Sequence, residues 1–115
     1  MDLRIKRAYA PPAESDGTRI LVDRLWPRGV KKATLALDAW CKDIAPTPTL
    51  RTWFDHRADH FEEFTHRYRA ELDHNPAAVA EIRAWLRRGP TTLVYAARDP
   101  AINHAVVLRD WLIAH

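Results

Sequence analysis

The segment that most restricts how this chain can fold is residues 91–97, TTLVYAA, a run of β-forming residues fenced by Gly89-Pro90 before it and Asp99-Pro100 after it. A run of that length and composition reads as a central strand. Residues 19–25, RILVDRL, have a similar character: an apolar beginning suited to a buried strand, then the charged Asp23-Arg24 pair. Between and after these two runs the apolar period becomes helical. Phe61, Phe64, Tyr68 and Leu72 mark an amphipathic helix over 59–72. Asn75-Pro76 opens another, carrying Val79, Ile82, Trp85 and Leu86 and ending at Gly89-Pro90. A last helix is expected from an Asp99 N-cap with Pro100 in its first position, turning Ile102, Ala105, Val106, Leu108 and Leu112 inward. Alternation of central strands with helices predicts an α/β fold, a small three-layer α/β sandwich around a mostly parallel sheet of about four strands.

The remaining segments carry weaker signals. Residues 3–9 alternate loosely between apolar and basic side chains and read as a strand near a sheet edge. The loop after it, residues 10–18, is too short for an ordinary crossover helix, so the sequence leaves the direction of the first strand open. Trp26-Pro27-Arg28-Gly29 must turn, a short helical turn follows near 32–36, and residues 37–45 are read as a third strand. Pro46 and Pro48 end it; Thr49 then reads as the cap of a short helix with Leu50, Trp53 and Phe54 on its apolar face.

With 115 residues, 47% of them hydrophobic, the chain suits one domain over 1–115 with a single core. Its five tryptophans supply large buried surfaces, with an aromatic-lined pocket or a self-association face as the other uses for them. No apolar run approaches the roughly 20 residues that cross a bilayer, and MDLRIKRAY lacks the apolar stretch of a signal peptide, so no membrane association is expected. Cys41 stands alone, which fits a reducing cytoplasm. The net charge of +3 is spread among interspersed acids, so a solvated mixed surface is a better reading than a nucleic-acid stripe. Only four of the 18 basic residues are lysines; arginine is the cation suited to phosphates and carboxylates.

In sheets of this kind ligands sit outside the carboxyl ends of the strands. Residues 19–25 deliver Asp23, Arg24, Trp26 and Arg28 into a tight turn, and residues 91–97 deliver Tyr95, Arg98 and Asp99 onto a helix start that also holds Asn103 and His104. If the two strands are parallel neighbours, these groups converge on a setting that favours an anion. The candidate ligand-binding residues are therefore Arg24, Trp26, Arg28, Tyr95, Arg98, Asp99 and Asn103. His104 is the candidate general acid or base, with Asp23 or Asp43 to orient it. The bland alternative makes Asp99 a helix cap, pairs Arg24 with Asp23 and leaves Arg28 solvated.

Other signals are weaker. His56 and His60 are four apart, but Arg57 stands where a metalloprotease helix has glutamate, and no third ligand is evident, so no metal site is expected. Cys41 has no histidine or CxxC partner and reads as a packed thiol. Only three glycines are present, at 17, 29 and 89; dinucleotide and P-loop motifs are absent and no cofactor is implied.

Four stretches together, RILVDRLWPRGVKK, LDAWCKDIAPTPTLRTWFDH, FEEFTHRYRAEL and GPTTLVYAARDPAINHAVVLRDWL, resemble the domain of unknown function 488 family, YeaO-like branch, over nearly the whole chain. The resemblance implies a small α/β fold and no established activity. Some other branches of that family carry a cysteine just before the histidine matching His104, where this chain has Asn103, so the resemblance argues against thiol chemistry here. Two competing functions remain: an accessory module binding nucleic acid or protein through Arg67, Arg69, Arg83, Arg87 and Arg88, and a homodimer built on a tryptophan-rich face.

Overall fold

The computed structural model describes residues 1–115. The strands are β1 (Leu3–Arg7), β2 (Thr18–Leu21), β3 (Ala39–Trp40) and β4 (Thr91–Tyr95); the helices are α1 (Lys32–Leu35), α2 (Pro48–Phe54), α3 (Phe61–Asp73), α4 (Pro76–Leu86) and α5 (His104–Ala114). They form a four-stranded sheet of order β1-β4-β2-β3 in which every pairing is parallel. The direction that the sequence left open is thus settled: β1 and β2 flank β4 and run the same way. β1 is an edge strand, as its basic alternation suggests.

Alternation along the strands divides the interior in two. Leu3, Ile20, Val22, Leu93 and Tyr95 pack with Cys41, Ile44 and residues of α2, α3, α4 and α5 in a single cluster of 20 buried residues. Ala8, Leu21 and Val94 face the other way, onto a much smaller cluster completed by Leu35 of α1 and flanked by Trp26, Val30, Leu37 and Trp40. The sandwich is therefore lopsided, with a single helical turn and a loop as its thin layer. Tyr68 is fully buried in the larger core because its hydroxyl donates to the Ile44 carbonyl at 2.7 Å. Burial pushes its phenol well above the ordinary range.

Several local expectations need correction. The third strand is two residues long rather than nine, Ala39–Trp40 against an expected 37–45. Its partner β2 ends at Leu21; the Cys41 amide takes the Leu21 carbonyl, and the chain then turns through a 3-10 segment, Lys42–Ile44. Thr47 rather than Thr49 caps α2, accepting from the Leu50 amide, since Pro48 occupies the first helical position. Asn75 precedes Pro76 of α4, but its side chain donates to the Asp43 carbonyl instead of capping. Finally, α5 begins at His104 and is capped by Asn103, not Asp99.

The amino-terminal end of the thin face is closed by a buried polar network. Arg19 donates to Asp16 at 2.7 Å and to the Leu35 and Ala36 carbonyls at the end of α1. Asp16 also accepts from Lys6 and from the Ala13 amide, and its own carbonyl accepts from Thr92. Burial alone would raise the Asp16 carboxyl; the Ala13 amide, Lys6 and Arg19 together bring it below its ordinary value. Gly17 makes this closure possible. Its φ is 65°, Thr18 donates to the Pro90 carbonyl beside it, and a Cβ there would run into that carbonyl.

Candidate functional site

The chain leaves the two central strands in opposite directions. After β2 it runs toward β3, whereas after β4 it runs to α5, which packs on β1 and β4. A crevice is expected where connections part in this way. A cleft of about 670 Å³ opens there, lined by the loops after β2 and β4, the start of α5, and residues from the 45–64 region.

Asp23 ties the cleft together. Its Oδ2 accepts the Ala96 amide at 2.9 Å, so a side chain continues the ladder where β2 has ended. Its carbonyl accepts the Trp40 indole at 2.7 Å, and its Oδ1 lies 3.1 Å from His104 Nε2. That same Nε2 is 3.0 Å from the Val22 carbonyl. Both neighbours of Nε2 are acceptors, so Nε2 carries the proton. One N–H cannot align with both, and Oδ1 is buried with no hydrogen bond of its own. Nδ1 is the nitrogen of His104 left for other partners.

The cleft is rich in guanidinium groups. Arg24, Arg28, Arg51 and Arg98 line it beside the imidazoles of His56 and His104, against the carboxylates of Asp23 and Asp99. Arg24 is largely committed: Nη2 donates to the Ala45 carbonyl at 3.1 Å, and Nε faces the Pro46 carbonyl at 3.4 Å. It pins the loop after β2 to the segment entering α2 and does not pair with Asp23. The guanidinium groups of Arg28, Arg51 and Arg98 make no hydrogen bond or ion pair within the chain and stand exposed at the cleft. Other arginines sit on carboxylates: Arg4 on Asp2, Arg57 on Asp59, Arg67 on Glu63 and Arg109 on Asp110.

Asp99 and Asn103 shape the approach to α5. Asp99 Oδ1 accepts the Ala101 and Ile102 amides and holds a bend; Asn103, buried, accepts the Val106 amide and donates to the Asp99 carbonyl. Both polar ends of the Asn103 side chain are thus occupied in structure. The first turn of α5, with its positive dipole end, begins at the cleft.

Of the candidate residues, Asp23, Arg24, Trp26, Arg28, Arg98, Asp99, Asn103 and His104 come together around this one cleft. Tyr95 does not line it; it is buried behind, and burial raises its phenol. Asp43 stands outside, its side chain 87% exposed and 3.9 Å from Arg24 Nη1, too remote to orient His104. Arg51 and His56 are cleft residues that the sequence reading did not select. His60, four residues from His56 in sequence, does not line the cleft and stacks on Trp53 at 4.4 Å. Cys41 is buried with its thiol pushed up to about 12 by burial and by Glu81, consistent with a packed, unreactive group. Of the arginines on and just after α3 and α4, Arg67 covers Trp53, Arg83 reaches the Leu112 carbonyl and Arg88 covers Trp85, while Arg69 and Arg87 are exposed. No helix is long and apolar enough to cross a membrane.

A parallel α/β fold with a cationic cleft at the ends of its central strands is the class that the geometry defines. The chain belongs to the DUF488 family: residues 2–115 match the family model described as the inactive DUF488-N3 subclade. It is 45% identical over 112 residues to the uncharacterised protein YeaO of Escherichia coli, covering 97% of each chain. It is 44% identical over 110 residues to the uncharacterised protein Rv3073c of Mycobacterium tuberculosis, covering 96% of this chain and 92% of the relative. No solved structure matches it.

Proposed function

We propose that this protein binds a small anionic ligand, bearing a phosphate or carboxylate group, in the cleft at the ends of β2 and β4. The observation that carries this reading is the set of unpaired guanidinium groups of Arg28, Arg51 and Arg98 on one concave surface. Guanidinium donors that no carboxylate of the chain pairs favour an oxyanion, even with Asp23 and Asp99 lining the same cleft, and the start of α5 adds to the same field. Arg28 and Arg98 hold the anion in this account, while Arg24 holds the wall. His104, positioned by Asp23 and the Val22 carbonyl, offers Nδ1 to the ligand and is the group that would handle a proton.

Binding rather than turnover is supported by two things. Asn103 is committed to capping α5 and supplies no nucleophile, and the subclade matched by the chain is described as inactive.

A thermal-shift titration with inorganic phosphate and with acetate tests the proposal. At least one anion raises the melting temperature in step with its concentration, and the rise disappears in an Arg28→Ala/Arg98→Ala variant. Absence of any shift, or an equal shift in the variant, would overturn it.

A further inference from the structure

We infer that the natural ligand of this cleft is an organic anion carrying a flat apolar ring, the ring covering the cleft-lining side chains of Leu25, Tyr9 and His56. The inference rests on the anion-binding reading above and specifies its ligand. A volume of about 670 Å³ falls among pockets that enclose whole organic molecules, far more room than a bare oxyanion fills.

The distribution of exposed apolar side chains indicates what fills the rest. Only four large hydrophobic residues are exposed: Met1, Tyr9, Leu25 and Ile113. Met1 and Ile113 lie at the chain ends. The other two, Leu25 at 59% and Tyr9 at 47% exposure, both line this cleft. Apolar surface left in water beside a concave cationic site is surface that a ligand can cover.

Tyr9 is held in place before any ligand arrives. The Tyr9 hydroxyl donates to the Arg28 carbonyl at 2.9 Å, and the Arg7 guanidinium lies 5.0 Å from the centre of its ring. The same hydrogen bond ties Tyr9 to the loop bearing an anion-binding arginine. At the end of α2, Asp55 and His56 adopt left-handed conformations in succession, with φ of 50° and 55°. The first ends α2, a common use of that conformation. The second has no such use; it places an exposed imidazole on the cleft, with its ring centre 6.0 Å from that of Phe54. A tyrosine, a leucine and an imidazole present flat or apolar faces suited to a ring, while a non-aromatic polar ligand would leave them uncovered.

The test compares methyl phosphate with phenyl phosphate, which share the charged group and differ in the ring. Each is titrated at the same fixed pH and followed by amide chemical shifts. Phenyl phosphate binds at least tenfold more tightly, and a Leu25→Ser/His56→Ala variant with an unchanged amide spectrum elsewhere loses that preference while still binding methyl phosphate. Equal affinities of the two esters, or a preference that survives in the variant, would overturn the ring assignment and leave anion binding standing. If neither ester nor inorganic phosphate binds, the anion reading falls and takes this inference with it.

Discussion

The two ends of the sheet handle charge in opposite ways. At the amino-terminal end, Arg19 and Asp16 have side chains only 5% and 8% exposed, and each is matched by several partners: Lys6, the Ala13 amide and the final carbonyls of α1. At the carboxyl end, Arg28, Arg51 and Arg98 are exposed and unmatched, and Asp23 keeps one buried oxygen whose only near neighbour is a shared imidazole N–H. A buried charge must be satisfied within the chain or the fold suffers, whereas an exposed guanidinium on a concave surface can wait for a partner from outside. The first end therefore belongs to stability. The second is the end we propose for binding.

Substitutions that exchange these roles test the contrast. Asp16→Ala should have the largest effect, about 3–5 kcal/mol of lost stability by urea unfolding, because Arg19 would be left buried without its carboxylate. Asn103→Ala should cost about 1 kcal/mol by the same measurement, the usual loss for a helix cap. Arg28→Ala and Arg98→Ala should each change stability by less than about 0.5 kcal/mol, since neither side chain contacts a partner in the chain. Loss of stability comparable to that of Asp16→Ala in either would erase the distinction.

The pH dependence sharpens the same comparison. The folded Asp16 carboxyl titrates below its ordinary value of 3.8, so the unfolded chain takes up its proton first as the solution is acidified. Its contribution is fully present above the ordinary value and is lost as pH falls through the lower folded one. Asp16→Asn should flatten the acid limb of a stability profile measured between about pH 5 and pH 2, and an unchanged slope would show that the network does not titrate as a unit.

Much of this arrangement can be read from sequence because it follows from local pattern. The two central strands, the paired helices of 61–86 and the convergence of Asp23, Arg28, Arg98 and His104 all derive from apolar period and from where charge begins after an apolar run. What escaped was decided by competition between neighbouring signals. Asp99-Pro100 has the appearance of a helix start, yet Asp99 caps only a bend and Asn103 begins the helix four residues later. Thr47 and Thr49 both flank Pro48, and the proline chooses between them. Residues 37–45 alternate as a strand should, but only Ala39 and Trp40 pair with β2 before the chain turns into the 3-10 segment Lys42–Ile44. Arg51 and His56 could not be placed at all, because only the packing of α2 against α3 carries them to the ends of strands distant in sequence.

The central claim, that the unmatched arginines make the carboxyl end of the sheet an anion site, is tested most directly by titrating the isotopically labelled protein with inorganic phosphate and mapping the amide shifts. Saturable shifts should concentrate on Arg28, Arg98 and the first turn of α5, with the amides of Asp16 and Arg19 unmoved, and should vanish in Arg28→Ala/Arg98→Ala. Shifts spread evenly over both ends, or equal shifts in the double variant, would contradict it.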